Sequence, residues 1–492
     1  MAQISVNNLT FAYEGSYDNI FENVSFTIDT DWKLGFTGRN GRGKTTFLSL
    51  LMEKHEYRGN ISSSVDFEYF PYHVPDRNMF TYEVLEGINP DYRHWELARE
   101  LNLLEVDEEV LYRPYCTLSN GEQTKVLLAI LFLKENNFLL IDEPTNHLDA
   151  GARNVVSNYL NSKKGFILVS HDRAFLDNCV DHILSINRTN IEIQKGDFST
   201  WWANKELQDN FELAKNEKLK KDIERLTEAT KRTASWSESV EKTKFGTKNS
   251  GIKPDKGYIG HKSAKMMKRS KNIESRQQSA LEEKSKLLKN IESNEALKIH
   301  QLGYHKNSLV ELKNISIFYG EKQVCSNITF SIEQGDRVAL CGKNGSGKSS
   351  IMKLICGEEL IYTGELKIGS GLKISYVSQD TSFLNGKLDD FAAEWEIDES
   401  LFKAILRKLD FARVQFEKDI RDYSEGQKKK VLIAKSLCEQ SSLLIWDEPL
   451  NFVDVISRIQ IEELLLDYKP TILFVEHDMT FCNNIATKKV QL

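Results

Sequence analysis

The chain has 492 residues, of which 40 % are hydrophobic, and a formal net charge of −7. This length allows about three domains with sizeable cores, which excludes a small disulfide-stabilised protein or a disordered one. No run approaches the roughly 20 apolar residues of a membrane span, and the N-terminus lacks the pattern of a secretion signal. Seven cysteines without CxxC spacing indicate buried thiols in a reducing compartment. We therefore expect a soluble, cytoplasmic protein.

The two halves of the sequence repeat each other. The segments "VNNLTFAYEG" and "ENVSFTIDTDWKLGFTGRNGRGKTT" return later as "LKNISIFYG" and "SNITFSIEQGDRVALCGKNGSGKSS", and matching motif residues are offset by 304 to 306 positions. Alternating segments near the start of each half predict antiparallel strands. The short apolar runs "NFLLID" and "GFILVSH" are typical of strands buried on both faces. Each half is therefore predicted to be a layered α/β domain.

A phosphate-binding loop occurs at the same place in each half, between a predicted strand and a predicted helix. In such a loop the glycines let backbone N–H groups surround phosphates, Lys44 and Lys348 reach the β- and γ-phosphates, and Thr45 and Ser349 can bind Mg²⁺. Two matches at corresponding positions argue against coincidence. The predicted ATP-binding residues of the two loops are Gly38, Asn40, Gly41, Gly43, Lys44, Thr45, Thr46, Gly342, Asn344, Gly345, Gly347, Lys348, Ser349 and Ser350.

An aromatic residue precedes each loop by some two dozen positions. Tyr13 and Tyr319 are predicted to stack on the adenine of ATP. Ordinary packing in the core or at the surface is the alternative for both rings.

A further motif precedes an apolar helical run in each half: Leu118–Gln123 and Tyr423–Lys428. These segments resemble the signature motif of the ATP-binding cassette superfamily, and the resemblance covers both halves. It implies that Ser119 and Gly121 of one cassette, and Ser424 and Gly426 of the other, contact the γ-phosphate of ATP held by the opposite cassette. Lys44 would then pair with Ser424, and Lys348 with Ser119. A serine that only caps its helix is the alternative reading of each motif alone.

Paired acids end a buried strand in "LLIDEPTNHLD" and in "LLIWDEPLNFVD". Adjacent buried carboxylates are costly unless a cation lies nearby, which favours a functional role. The resemblance implies that Asp142 and Asp447 hold Mg²⁺, together with the loop hydroxyls. It also implies that Glu143 and Glu448 polarise the attacking water.

The superfamily also has a histidine that contacts the γ-phosphate and a glutamine that binds ATP and contacts the metal. The resemblance assigns the histidine to His171 and His477, although a single histidine at a strand end is usually structural. Gln379 occupies the glutamine position in the second half, but the first half has Tyr72, which we do not expect to contact metal. The second signature is also altered, with Tyr423 at its start. We therefore predict two unequal composite sites.

The insert between the halves has apolar residues at helical spacing. A helix is predicted from about Ala203 to Val240, followed by a break in "FGTKNSGIKPDKGYIGHK" and a second helix from about Ala264 to Lys298. At about 1.5 Å per residue, such arms would project roughly 50 Å. The predicted domains are residues 1–202, a helical hairpin at 203–305, and residues 306–492.

The hairpin is predicted to have a basic tip. From Lys242 to Arg276 there are eleven Lys and Arg against two acids, a net charge of +9 on an acidic chain. Such a segment is typical of polyanion binding, whereas a solvated linker is the alternative. The candidate ribosome-binding residues are Lys242, Lys244, Phe245, Lys248, Lys253, Lys256, Tyr258, Lys262, Lys265, Lys268 and Arg269.

Two cassettes in one chain, joined by a hairpin of about a hundred residues, resemble the ABC-F proteins. The basic tip is most similar to their antibiotic-resistance members of the Lsa/Vga type. The resemblance implies a monomeric ATPase that uses ATP and Mg²⁺, with the cassettes pairing inside one chain. It also implies binding to the bacterial ribosome, at 23S rRNA and P-site tRNA, with protection against peptidyl-transferase-centre antibiotics. A translation factor without resistance activity, a transporter ATPase and a DNA-maintenance ATPase remain as alternatives.

Overall fold

The structure is a computed structural model that describes residues 2–13, 19–146, 148–187, 191–242, 256–286, 301–343, 345–411 and 413–492. The chain divides into two compact units. One contains Met1–Trp201 and Asn294–Leu492, and the other is Trp202–Ser293. The first unit holds two α/β cassettes, which confirms the predicted fold class.

The first cassette contains an antiparallel sheet in the order β2-β1-β4 and a six-stranded sheet in the order β5-β6-β7-β3-β8-β9. The larger sheet is parallel except for its β8–β9 edge. The strands are β1 (Gln3–Phe11), β2 (Phe21–Asp29), β3 (Lys33–Gly38), β4 (Arg58–Ser62), β5 (Asp66–Phe70), β6 (Asn137–Asp142), β7 (Phe166–Val169), β8 (His182–Ile186) and β9 (Ile191–Lys195). The helices are α1 (Lys44–Leu51), α2 (Thr81–Ile88), α3 (His94–Leu103), α4 (Asn120–Leu131), α5 (Ala150–Asn161) and α6 (Arg173–Cys179).

The helical unit contains most of α7 (Phe198–Lys242) and all of α8 (Lys256–Lys286). Along α8 the residues turned from solvent recur at spacings of four and three, the seven-residue period of packed helices. Apart from Gly260, which adjoins this series, they are Ile259, Ser263, Met266, Ser270, Ile273 and Gln277. Gln277 Nε2 donates to Thr227 Oγ1 of α7 at 2.8 Å, so the two helices pack side by side.

One detail of the predicted hairpin was wrong. The second helix begins at Lys256 rather than near Ala264, so Tyr258 lies in its first turn and not in a break. Pro254 and Asp255, residue types that favour a helix start, precede it in sequence, and they outweigh the cost of Gly257 and Gly260. The first helix is confirmed, and three of the apolar residues on it, Leu207, Phe211 and Trp236, are exposed. The residues predicted to extend the second helix beyond Lys286 to Lys298 lie outside the described part.

The second cassette repeats this plan with sheets in the orders β11-β10-β13 and β14-β15-β16-β12-β17, and the larger sheet is parallel. Its strands are β10 (Ser308–Tyr319), β11 (Lys322–Glu333), β12 (Arg337–Cys341), β13 (Ile361–Ile368), β14 (Ile374–Val377), β15 (Leu443–Asp447), β16 (Ile472–Val475) and β17 (Lys488–Gln491). Its helices are α9 (Lys348–Ile355), α10 (Leu388–Glu394), α11 (Glu399–Lys408), α12 (Glu425–Cys438), α13 (Val455–Tyr468) and α14 (Met479–Ile485).

Core packing and strand pairing position the phosphate loops and the paired acids at one edge of each larger sheet. In the first cassette the rings of Phe36 on β3 and Phe47 on α1 pack edge to face at 5.6 Å, which anchors the phosphate loop between them. Asp142 is paired with Val169 at the ends of β6 and β7, and Asp447 with Val475 at the ends of β15 and β16. Because the carboxyl ends of parallel strands share one edge, the acids and the histidines that follow β7 and β16 lie beside the phosphate loops.

Candidate active sites

Each phosphate loop has a left-handed glycine at the cap of the following helix. Gly43, with φ 94°, caps α1, and Gly347, with φ 92°, caps α9. A Cβ at Gly43 would lie 2.5 Å from Ile20 Cγ2, so both the backbone angle and the space require glycine. The loops therefore place backbone N–H groups at a helix N-terminus, which suits bound phosphate.

The two loop lysines are held in the same way. Lys44 Nζ donates to Gly38 O at 2.6 Å and to Arg39 O at 3.1 Å. Lys348 Nζ donates to Gly342 O at 2.9 Å and to the carbonyl oxygen of the next residue at the same distance. Each ammonium group is thus held inside its own loop, where a phosphate would come within its reach.

Asp142 lies among hydroxyl donors at the first site. Its Oδ2 accepts from Thr45 Oγ1 at 3.2 Å and from the Tyr69 hydroxyl at 2.9 Å. At the second site Asp447 is buried, and its Oδ1 has no hydrogen-bond partner among the described residues. An orphaned buried carboxylate oxygen beside the Ser349 hydroxyl suits a bound cation.

Tyr69 and Tyr376 are functional candidates that the motif search missed. Burial and the Asp142 carboxylate raise the pKa of Tyr69, and burial and the Asp447 carboxylate raise that of Tyr376. Both phenols therefore stay protonated and can donate to the acid. The signal was present in the repeat, since each tyrosine lies three positions before the residue compared above, Tyr72 or Gln379.

The two catalytic candidates share an unusual backbone conformation. Glu143 has φ 52° and Glu448 has φ 48°, in the left-handed region that non-glycine residues seldom occupy. The Glu143 N–H donates to Val169 O at 2.9 Å, and the Glu448 N–H donates to Val475 O at 3.1 Å. These bonds hold both side chains at the strand edge, and backbone strain of this kind is concentrated at functional sites.

A histidine approaches each glutamate at nearly the same distance. His171 Nε2 lies 3.2 Å from Glu143 Oε1, and His477 Nε2 lies 3.3 Å from Glu448 Oε1. The first contact lacks hydrogen-bond geometry, so Glu143 Oε1 has no hydrogen-bond partner among the described residues. Gln379 Nε2 adds a 2.8 Å bond to Glu448 Oε2.

The surroundings shift the pKa values of the two glutamates in opposite directions. Burial and the adjacent Asp142 carboxylate raise the pKa of Glu143 to about 8. Burial also acts to raise the pKa of Glu448, but the hydrogen bond and charge of His477 outweigh it and leave the pKa below its ordinary value. Burial holds the pKa of His171 well below its ordinary value. Glu448 is therefore the better proton acceptor at neutral pH.

Both signature serines cap a helix. Ser119 Oγ accepts from Glu122 N at 3.2 Å at the start of α4, and Ser424 Oγ accepts from Gln427 N at 3.4 Å at the start of α12. Capping was the simpler interpretation of these serines, and the structure shows that they cap. Capping does not exclude phosphate contact, because an N-cap hydroxyl lies at the positive end of its helix.

The first signature and the second phosphate loop line a common cavity of about 840 Å³. Ser119 and Gly121 lie on one wall, and Lys348, Glu448 and His477 lie on the other. The remaining predicted residues that line it are Gly345, Gly347, Ser349, Ser350 and Gln379. The structure therefore brings together the elements of the predicted Lys348 and Ser119 site.

The opposite pair of motifs is in direct contact. Asn40 of the first phosphate loop donates from Nδ2 to Phe452 O at 2.7 Å. A Cβ at Gly426 would lie 2.2 Å from Phe452 O and 2.8 Å from Asn40 Nδ2, so only glycine fits there. The second signature is thus packed against the first phosphate loop. At the other composite site the residues corresponding to Asn40 and Phe452, which are Asn344 and His147, lie outside the described part.

The two predicted adenine-stacking tyrosines lie at the loop helices. The Tyr13 hydroxyl is 3.0 Å from Thr46 Oγ1, and the Tyr319 hydroxyl is 3.3 Å from Ser350 Oγ. Their rings are 44 % and 48 % exposed, which leaves a face available to a base. Stacking on adenine stays a prediction.

The predicted tip is described only in part. Tyr258 is 66 % exposed on α8. Lys262, Lys265, Lys268 and Arg269 are also exposed on that helix. The side chains of Lys242 and Lys256 lie outside the described part, as do Lys244, Phe245, Lys248, Lys253 and, in the second phosphate loop, Asn344.

No cluster of three or more His, Cys, Asp or Glu side chains among the described residues could hold a metal ion. Each site instead offers one carboxylate and one hydroxyl, Asp142 with Thr45 and Asp447 with Ser349. That set suits Mg²⁺, which is usually held by one or two carboxylates together with the phosphates of the substrate. No helix in the described part of the chain is long and apolar enough to cross a membrane.

A family model described as "ABC transporter" matches residues 21–146 and again residues 325–451. The chain is 28 % identical to the ATP-binding protein Uup of Buchnera aphidicola subsp. Acyrthosiphon pisum, over 99 % of this chain and 80 % of Uup. It is also 28 % identical to the ribosome protection protein VmlR of Bacillus subtilis, over 97 % of this chain and 85 % of VmlR. ABC transporter F family member 2 of Arabidopsis thaliana is 25 % identical over 99 % of this chain and 76 % of that protein.

Solved structures show the same fold. The archaeal ribosome recycling factor aABCE1, solved with the stalk protein aP1, superposes with a TM-score of 0.60 at 18 % identity, over 96 % of this chain and 84 % of that chain. An RNase-L inhibitor superposes with a TM-score of 0.58, also at 18 % identity, over 93 % of this chain and 82 % of that chain. At this identity the likeness concerns the fold alone.

Proposed function

Because the chain belongs to the ATP-binding cassette family, as an ATPase of its F type with two cassettes in one chain, we propose that it binds the bacterial ribosome and protects it from antibiotics. The observation that carries this proposal is the similarity to the ribosome protection protein VmlR over 97 % of the chain. It includes the helical unit as well as both cassettes. A protein that shared only ATP hydrolysis with VmlR would not need to match across the hairpin.

The charge of the hairpin supports an RNA partner. Exposed basic residues of α8, among them Lys262, Lys265 and Arg269, recur along a helix that packs on α7 through its opposite face. Lys and Arg bind RNA by displacing counterions from phosphates, so such a surface suits ribosomal RNA. An ATPase acting on a membrane partner would not need it.

The catalytic steps follow from the placement of the side chains. Lys44 and Lys348 would bind the β- and γ-phosphates, and the hydroxyls of Thr45 and Ser349 would hold Mg²⁺ together with Asp142 and Asp447. Mg²⁺, when bound, neutralises charge on the phosphate oxygens.

The remaining residues act on the water and on the opposite cassette. Glu448 accepts the proton of the attacking water while Gln379 and His477 orient its carboxylate, and Glu143 and His171 occupy the corresponding places at the first site. Ser119 with Gly121, and Ser424 with Gly426, complete the site of the opposite cassette and exclude water from it.

On the ribosome, we propose that the protein enters the tRNA exit site and contacts 23S rRNA and P-site tRNA. The tip between the helices then reaches toward the peptidyl-transferase centre and displaces a bound lincosamide, pleuromutilin or streptogramin A. ATP binding closes the cassettes for this step, and hydrolysis releases the protein. The action takes place in the cytoplasm.

The test is the drug susceptibility of a bacterium that expresses the chain, compared with its empty-vector parent. We expect a higher inhibitory concentration for at least one of the three drug classes. The inhibitory concentration of a drug that acts on the small subunit should not change. A variant lacking Thr247–Gly257, closed by a short Gly-Ser link, should lose protection but keep ATP hydrolysis and ribosome binding. Unchanged susceptibility of the strain expressing the parent chain would contradict drug protection.

The second candidate is an F-type translation factor without resistance activity. It is favoured by the equal identity to Uup, whose name refers only to ATP binding. Ribosome sedimentation distinguishes these two candidates from a transporter ATPase and from a DNA-maintenance ATPase. Both predict ATP-dependent co-sedimentation that survives DNase, whereas a transporter subunit would follow membranes and a DNA-maintenance ATPase would be released by DNase.

A further inference from the structure

Two arginines of the first phosphate loop reach across to the second cassette. Arg39 Nε lies 3.6 Å from Asp410 Oδ2, and Arg42 NH2 lies 3.2 Å from the same oxygen. The Arg39 side chain is 4 % exposed and Asp410 is 14 % exposed. Asp410 follows α11 in a left-handed conformation, with φ 63°, which turns it toward the first cassette. One carboxylate therefore faces two guanidinium groups, of which that of Arg39 is buried, whereas the Arg42 side chain is 31 % exposed.

Arg39 makes a second connection to the second cassette. Its NH1 donates to Ser457 Oγ at 3.1 Å, and that hydroxyl donates to Asp454 Oδ2 at 2.9 Å. Lys430 Nζ lies 2.8 Å from the same Asp454 oxygen, with both side chains at most 5 % exposed. Breaking a buried, hydrogen-bonded charge network by removing one member is strongly unfavourable, because the others stay buried without compensation. The network therefore resists separation of the two surfaces.

The other composite site lacks these groups. In the repeat, Lys343 occupies the position of Arg39, and Ser346 that of Arg42. Asp410 and Ser457, the residues of the second cassette that the arginines contact, correspond in the repeat to Glu105 and Ala152. Both of these line the cavity of the second site, as does Lys125. A serine cannot reach a carboxylate as an arginine does, and an alanine has no hydroxyl to relay a bond. The first site, where loop and signature are in contact, has the two arginines, and the second, whose described residues line a cavity, does not.

We propose that Arg39 and Arg42 are positioning residues that hold the second signature segment on the first phosphate loop. The composite site of Lys44 and Ser424 thereby stays assembled while the site of Lys348 and Ser119 opens and closes. The two sites of one ATPase are then a retained site and an exchanging site. This inference rests on the proposed pairing of each phosphate loop with the opposite signature.

Hydrogen–deuterium exchange of the isolated full-length protein tests the proposal without ribosomes or drugs. In Arg42→Ser and in Asp410→Asn, amide exchange in the signature peptide 423–429 should rise about tenfold. The corresponding peptide 118–124 at the open site should not change. Arg58→Ser, which alters an exposed arginine on β4, is the control and should leave both peptides as in the parent. Equal increases in both peptides, or none in 423–429, would overturn the proposal.

A charge reversal separates positioning from simple loss of folding. Arg42→Asp alone should raise exchange in peptide 423–429, and adding Asp410→Arg should restore most of the protection. In the opposite direction, Ser346→Arg gives the open site a guanidinium facing Glu105 and should lower exchange in peptide 118–124. Failure of both the rescue and the gain would show that the arginines do not position the signature. Drug protection is a separate readout, so loss of the proposed function would leave this result standing.

Discussion

The two composite ATP sites have the same fold and nearly the same motifs, yet they differ at the interface. At the first, Gly426 is packed against Asn40 and Phe452. At the second, Ser119 and Lys348 face each other across a cavity of about 840 Å³. The residues proposed to bind phosphate are almost the same in both. The residues that differ lie beside the shared motifs: Arg39 and Arg42 at the first site correspond to Lys343 and Ser346 at the second.

The environments of the catalytic glutamates extend the comparison. Glu448 accepts bonds from Gln379 and Asn451 and has a lowered pKa, whereas Glu143 lacks a glutamine neighbour and has a pKa raised to about 8. A carboxylate that is ionised at neutral pH can take a proton from water, and a protonated one cannot. The second site is therefore better suited to turnover.

The largest expected effect comes from replacing both glutamates. Glu143→Gln with Glu448→Gln should lower ATP turnover at least about a hundredfold, because neither site can then accept the proton of the attacking water. ATP should stay bound, since the phosphate loops are unchanged, and the closed form should accumulate on the ribosome. Turnover is measured by phosphate release. Hydrolysis at the parental rate would show that neither carboxylate acts as assigned.

Single substitutions sharpen the comparison. Glu448→Gln should reduce turnover about tenfold, whereas Glu143→Gln should leave at least about half of it, because the open site exchanges nucleotide and carries the better base. Phosphate release under saturating ATP compares the two variants directly. Identical losses would contradict unequal sites.

The tyrosines beside the magnesium-binding acids provide a smaller effect. Tyr69→Phe removes a 2.9 Å hydrogen bond to Asp142 without changing the ring, and it should raise the Mg²⁺ concentration for half-maximal ATP binding about tenfold. ATP binding is titrated against Mg²⁺ in the variant lacking both catalytic glutamates, so turnover does not interfere. Thr27→Val, on the outer sheet of the same cassette, is the control. An unchanged Mg²⁺ requirement would exclude a role in positioning Asp142.

A pH effect distinguishes the two cassettes most finely. Glu476 is buried beside the second site, where the first cassette has Ser170, and burial raises its pKa to about 7 from an ordinary 4.5. Between these values the folded state binds more protons than the unfolded state, so stability falls as pH rises and stays reduced above pH 7.

Glu476→Gln removes this titration. The unfolding temperature of the variant relative to the parent should therefore be higher at about pH 8, above that window, than at about pH 5, near its lower end. Ser170→Ala changes the corresponding residue of the first cassette and should give a difference independent of pH. A pH-independent difference for Glu476→Gln would contradict a buried, titrating carboxyl group.

The sequence predicted the parts of the molecule that local patterns specify. The repeat, the glycine spacing of the loops and the buried strands before Asp142 and Asp447 were enough for the fold class. Glu143 and His171 could be placed together because they end neighbouring parallel strands. These features depend on short spacings and on side-chain period, which a sequence shows directly.

What the sequence could not show depends on contacts between distant segments. Arg42 and Asp410 are 368 positions apart, and no local sequence pattern around either residue predicts their contact. The start of α8 at Lys256 was missed because two glycines were read as a break. Helical spacing also defines an apolar face without showing whether that face has a partner, and Phe211 on the first hairpin helix is exposed.

The most direct test of unequal sites is the retention of nucleotide by each. After loading with ATP and Mg²⁺ and removal of free nucleotide, the parent protein should keep about one nucleotide per chain for much longer than the other. Lys44→Ala should abolish this retained fraction, whereas Lys348→Ala should leave it and remove the fast-exchanging fraction. Two nucleotides leaving each chain at the same rate, or a retained fraction that depends on Lys348 instead, would contradict the account.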